Sequence, residues 1–147
     1  METRAEFPLP DVAWEPTREF WSAAARDELR LPRCASCAAF AWYPGERCRS
    51  CGGAQLAWER LSGRATLFSW VVVRHPFLPQ FRENLPLVTG LVAVDEDPRV
   101  RLPTRIVECT PEELAIDMPV EVVFRDLTFP GVAGHVRAPL FRPLAAR

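Results

Sequence analysis

A mainly β chain is the fold class this sequence predicts: an N-terminal helix, a metal ribbon held by cysteines, and a five-stranded barrel of the OB type. Three observations carry that expectation. Four of the five cysteines fall in RCASCAAFAWYPGERCRSC, residues 33 to 51, as two C-x2-C pairs. From residue 65 onward, segments rich in valine and aromatics recur between turn signals. Fifteen prolines spread through 147 residues leave little room for long helices.

Residues 1–16 are rich in proline and read as an extended arm. The stretch 17–30, TREFWSAAARDELR, carries the one helical pattern. Thr17 can cap it, Glu19 lies in its first turn and Arg30 near its end, while Phe20, Trp21, Ala24, Ala25 and Leu29 recur at helical spacing. Pro32 is expected to stop it, so the helix is assigned to 17–31, the ribbon to 32–57, and the barrel with its tail to 58–147. Strands are expected at 65–75, 85–95, 99–108, 120–127 and 135–141. Before the fourth, Thr110, Pro111 and Glu113 make a one-turn helix start with a capping box. Five strands with a helical turn in that place favour a small Greek-key barrel over a plain sandwich.

Cys34, Cys37, Cys48 and Cys51 form C-x2-C-x10-C-x2-C. Two residues between cysteines let a tight turn aim both thiolates at one cation, and two such turns complete a tetrahedral four-sulfur site. Zinc fits a closed structural site, and iron could use the same sulfurs. With all four sulfurs engaged no position is left for a catalytic water. Gly52 follows the second pair, but Ala38 follows the first, where a left-handed residue is wanted. A segment of this length buries too little surface to fold alone, so the metal supplies its folding free energy. Phe40, Trp42 and Tyr43 are the expected small core of the ribbon, with a docking face as the further role open to them.

Other chemistry is sparse. The formal charge is −1 and every basic residue is arginine, so no global field draws nucleic acid or an anionic membrane. No apolar run approaches the roughly 20 residues of a membrane span, and 1–11 lacks a signal-peptide pattern; a cytoplasmic location is expected. Cys109 has no histidine near it in sequence and reads as an inert thiol. His75 and His135 show no ligand or triad spacing, Asp95, Glu96 and Asp97 read as a solvated turn, and no catalytic residue is assigned. Arg99 and Arg101 alternate onto one face and are the candidate contacts for an acyl-CoA phosphate, with plain solvation as the alternative. The loop from His75 to Phe81, HPFLPQF, is either a docking element or a cover over the barrel mouth.

The order of Phe20-Trp21, then 31–34 (LPRC), the cysteine pairs, 58–69 (WERLSGRATLFS), 71–75 (VVVRH), 86–94 and 117–122 (DMPVEV) resembles one family over nearly the whole chain from Trp14. It is the rubredoxin-like zinc ribbon plus OB-fold family of acyl-CoA-associated proteins, long labelled a domain of unknown function. Ala38, Ala65 and Asp117 stand where that family usually has glycine. The resemblance implies a structural zinc and a non-catalytic partner of a thiolase-superfamily enzyme in a hetero-oligomer. It is closest to the domain at the C-terminus of MaoC-like steroid enoyl-CoA hydratase subunits, which pairs with a lipid-transfer-protein-like aldolase. In that branch the chain would be a piece beginning at an interdomain linker, fused to or associated with the hydratase. The interface is then expected at Phe20, Trp21, Trp42, Phe77 and Phe81. The competing readings are a nucleic-acid module and a rubredoxin-like electron carrier.

Overall fold

The structure, a computed structural model, describes residues 7–145, so residues 1–6 of the expected arm lie outside the described residues. A short 3-10 turn, Glu15–Thr17, leads into α1, Arg18–Ala24. Then come β1, Arg30–Cys34, and β2, Leu56–Arg60. The barrel strands are β3, Arg64–Val73; β4, Leu87–Val94; β5, Arg101–Ile106; β6, Pro119–Leu127; and β7, Val136–Pro143.

The helix is shorter than the spacing predicts, and its end has a clear cause. Asp27 takes a left-handed φ of 59°, its N–H donates to Ala24 O, and the Glu28 N–H reaches back to Ala23 O. Those two bonds make a Schellman stop ahead of Leu29. Thr17 makes no side-chain cap, because the preceding 3-10 turn feeds the helix directly. Pro32, expected as a helix stop, lies within β1, which pairs antiparallel with β2 from Arg30↔Arg60 to Cys34↔Leu56.

The barrel closes in the order β3-β4-β5-β7-β6, with β3 paired back to β6 and β5 meeting β7 in parallel at Ile106↔Phe141. This is the OB connectivity. Gly63 makes the entry possible: it has a φ of 86°, and a Cβ there would sit 2.3 Å from Val122 Cγ1 in β6. A one-turn 3-10 helix, Pro111–Glu113, precedes β6, with the Thr110 N–H donating to the Glu113 carboxylate.

Leu67, Val92, Val94, Leu102, Val120 and Phe141 fill the barrel and are almost fully buried. The same apolar cluster takes in Phe20, Leu29, Leu31 and Leu61, so helix, ribbon base and barrel share one core. In β3 the inward alternation breaks at Phe68: Leu67 pairs with Val92 and Ser69 with Leu91, leaving Phe68 as the extra residue of a bulge. Inward packing passes from Ala65 and Leu67 to Trp70 and Val72, and Phe68 is left on the surface.

Candidate metal centre

The two cysteine pairs sit on matching turns. Cys34 O accepts from the Ala38 N–H at 2.9 Å, and Cys48 O from the Gly52 N–H at 2.8 Å. The residue after each pair is left-handed: Ala38 has a φ of 64° and Gly52 of 76°. Ala38 therefore bears the strain that the sequence implies for a non-glycine residue in that place. Asp117 also lies in this region, with a φ of 61°, as its glycine-like position requires.

The four Sγ atoms lie within 4.8 Å of one another, with Cys34–Cys51 and Cys37–Cys48 each at 3.6 Å. Bonds of about 2.3 Å to a tetrahedral zinc place ligand sulfurs roughly 3.8 Å apart, whereas a disulfide needs about 2.05 Å. The donor set fits a four-thiolate zinc. Cys34 and Cys48 are buried and their partners Cys37 and Cys51 exposed, so one sulfur of each turn faces the ribbon core. Backbone donors favour negative sulfur at the buried pair. The Cys51 and Ser50 N–H groups pull the Cys48 thiol down to about 6, and the Cys37 N–H lowers Cys34. At Cys51 the Gly53 N–H lowers the thiol, but the crowding thiols of Cys34 and Cys37 win and push it up to about 12. Gly53 also leaves the sulfurs room, since a Cβ there would lie 3.2 Å from Cys34 Sγ and 3.3 Å from Cys51 Sγ.

The ribbon is tied to the barrel by a residue that sequence reasoning read as solvated. Asp97, on the β4–β5 connection, is only 6% exposed. Its Oδ2 accepts the Phe40 N–H at 3.1 Å, while Arg99 Nε donates to Oδ1 at 2.8 Å and Nη2 to Oδ2 at 2.9 Å. Arg99 holds this carboxyl below the usual carboxylate range. Nothing local in DEDP marks it, because Phe40 is 57 positions away. Arg99 lies before β5 and not within it, and its guanidinium is engaged by Asp97. Arg101 is exposed at the start of β5, with its guanidinium carbon 3.8 Å from the centre of the Phe68 ring.

The expected interface residues do not form one patch. Phe20 is 5% exposed and belongs to the core, so its ring is not available to a partner. Trp21 meets it edge-on at 5.0 Å, and Trp42 packs on it at 4.5 Å, which docks the ribbon onto α1. Phe81 is half-buried against Phe7 and Phe129, at 5.5 and 5.2 Å. Phe77 alone stands out, 83% exposed at the tip of the loop. Of the loop's two aromatics, one packs inward and the other is exposed. The structure does not bring Cys109, His75 and His135 into a common cluster of possible metal ligands among the described residues.

Comparison with known proteins adds to this geometry. Residues 21–57 match the family description "ChsH2, rubredoxin-like zinc ribbon domain", and residues 58–125 match "ChsH2, C-terminal OB-fold domain". A "Probable enoyl-CoA hydratase alpha subunit" of Thermomonospora curvata is 31% identical over 84% of this chain, and the chain spans 36% of that protein's length. A "DUF35 domain-containing scaffold protein" of Methanocaldococcus jannaschii is 31% identical over 71% of this chain and 72% of its own. A solved structure titled "Ltp2-ChsH2(DUF35) aldolase" superposes with a TM-score of 0.76 and 29% identity, covering 92% of this chain and 98% of that one.

Proposed function

Because this chain belongs to the DUF35 family of zinc-ribbon and OB-fold proteins, we propose that it is an accessory scaffold for a thiolase-superfamily enzyme acting on an acyl-CoA. The finer reading is a steroid side-chain retro-aldolase, which cleaves a β-hydroxyacyl-CoA, with its acid–base residues on the enzyme and none on this chain. The observation that carries this reading is the match to the Ltp2-ChsH2(DUF35) aldolase over 92% of the chain at 29% identity. The relative named as a hydratase subunit supports attachment to, or association with, a hydratase that supplies the aldolase's substrate.

Physical features of the chain support a scaffold. Metal and core hold the helix, ribbon and barrel together, so their outer surfaces keep fixed relative positions, and docking loses little conformational entropy. The test is to express an Ltp2-type aldolase from the same organism alone and with this chain. Co-elution as a hetero-oligomer, with cleavage of a β-hydroxyacyl-CoA that depends on the chain, is the expected result. An aldolase that neither co-elutes with the chain nor changes its cleavage rate would overturn the proposal.

A further inference from the structure

Strands β3, β4 and β5 contain no aspartate or glutamate. By pairing register, Ser69, Leu91 and Pro103 form one row, and Val71, Thr89 and Arg105 another two residues along, so both rows share the outer face of the sheet. Val71 is 61% exposed there. Beside it the bulge presents Phe68 under Arg101. Between the rows lies a shallow depression of about 450 Å³. The loop carrying Phe77 borders this face, since its Asn84 Oδ1 accepts from Arg105 Nη2 at 3.3 Å.

Arg26, Arg125, Arg137 and Arg142 pair with Glu19, Glu108, Asp27 and Glu121, on α1, β6 and β7 and on the segments that follow α1 and β5. Among the described residues, Arg74, Arg82, Arg101 and Arg105 pair with no carboxylate, as do Arg18, Arg47, Arg49 and Arg64. The loop adds one acid to this side, Glu83. The β3–β5 face thus has an aliphatic centre, Arg101 and Arg105 at its edge and no carboxylate in its strands, the composition of a protein-docking surface.

We infer that the outer face of β3, β4 and β5, with the Phe77 loop at its border, is where the chain seats its enzyme partner, on a partner surface that is apolar at the centre and carboxylate-bearing at the edge. This assignment rests on the scaffold reading above and gives it a place. A single-stranded nucleic acid fits worse: base stacking needs several bare aromatic rings, and the one ring on these strands' outer face, Phe68, is covered by Arg101.

The test measures binding of the full zinc-loaded chain to the Ltp2-type aldolase, using Val71→Asp and Arg101→Glu on this face and Val12→Asp, an exposed apolar position on the N-terminal arm, as control. Circular dichroism and zinc content matching the parent chain establish folding, and Arg101, being exposed, serves where Val71→Asp fails that check. The expected result is a Kd about tenfold weaker or more for each face variant, and a change within about twofold for the control. Added salt should weaken the parent complex more than the Arg101→Glu complex. A parent complex that forms while both face variants bind equally well would overturn this placement and leave the scaffold reading standing. Failure of the parent chain to bind would remove the scaffold reading and this surface with it. Variants that lose binding of coenzyme A or a single-stranded oligonucleotide while keeping the enzyme complex would also overturn it, turning the face into a ligand site.

Discussion

Asp97 accepts four hydrogen bonds with one buried carboxylate: from the Phe40 N–H, from the Arg99 backbone N–H and from both arms of the Arg99 guanidinium. Its replacement by alanine would leave a half-buried backbone donor and a guanidinium without their acceptor. Loss of such a charged acceptor costs about 1–3 kcal/mol, which urea unfolding at neutral pH should report as a lower midpoint. The pH dependence has a definite sign. Arg99 lowers the folded-state pKa of Asp97, so the stabilisation is complete above the unfolded carboxylate value of about 3.9 and vanishes as pH falls through the lower folded value. The gap between parent and Asp97→Ala stabilities should therefore be widest near neutrality and close in acid. A gap of constant size from neutral pH into acid would contradict this account. The metal ligands were legible because C-x2-C spacing is a local signal, whereas Asp97 was not, because its partner is distant in sequence and its neighbours are ordinary turn residues.

Ribbon strands β1 and β2 form a two-stranded sheet, too small to be stable alone, and the four sulfurs and the contacts of Trp42 and Asp97 hold it in place. Chelation of the metal under reducing conditions should thus strip amide-exchange protection from residues 30–60 while leaving β4 and β5, inside the barrel, protected. Hydrogen exchange followed by mass spectrometry reads this directly. Equal loss across both regions would show that the barrel cannot stand without the metal. At this scale the sequence located the five barrel strands to within three residues at each end, since β-branched runs bounded by turns are strong signals. It missed β1 and β2. Periodicity through Leu29 looked helical, and the left-handed turn at Asp27 that breaks it is a residue type most helices tolerate near their ends.

For the molecule as a whole, Phe20 marks how its parts are joined. Its ring lies in the same apolar cluster as the barrel interior and touches Trp21 and Trp42. Phe20→Ala should cost about 3–5 kcal/mol of unfolding free energy, as a buried ring truncated to a methyl does. In zinc-loaded protein one cooperative transition should move to lower temperature. A variant of unchanged melting temperature that binds the aldolase poorly would instead restore Phe20 to the interface, where its aromatic character first placed it. That misplacement has a physical origin. An amphipathic helix announces an apolar stripe, but a sequence does not say whether the stripe meets its own chain or another.

The closed barrel has a further consequence. Each of its strands has a bonded neighbour on both sides, so none is a free edge along its whole length, although β5 meets β7 at one pair and β3 meets β6 at three. A protein seated on the outer face of the paired strands reads side chains, and those can be exchanged with little effect on the interior. On the scaffold reading proposed above, the enzyme such a chain serves can be changed by a few surface substitutions, with the architecture inherited intact.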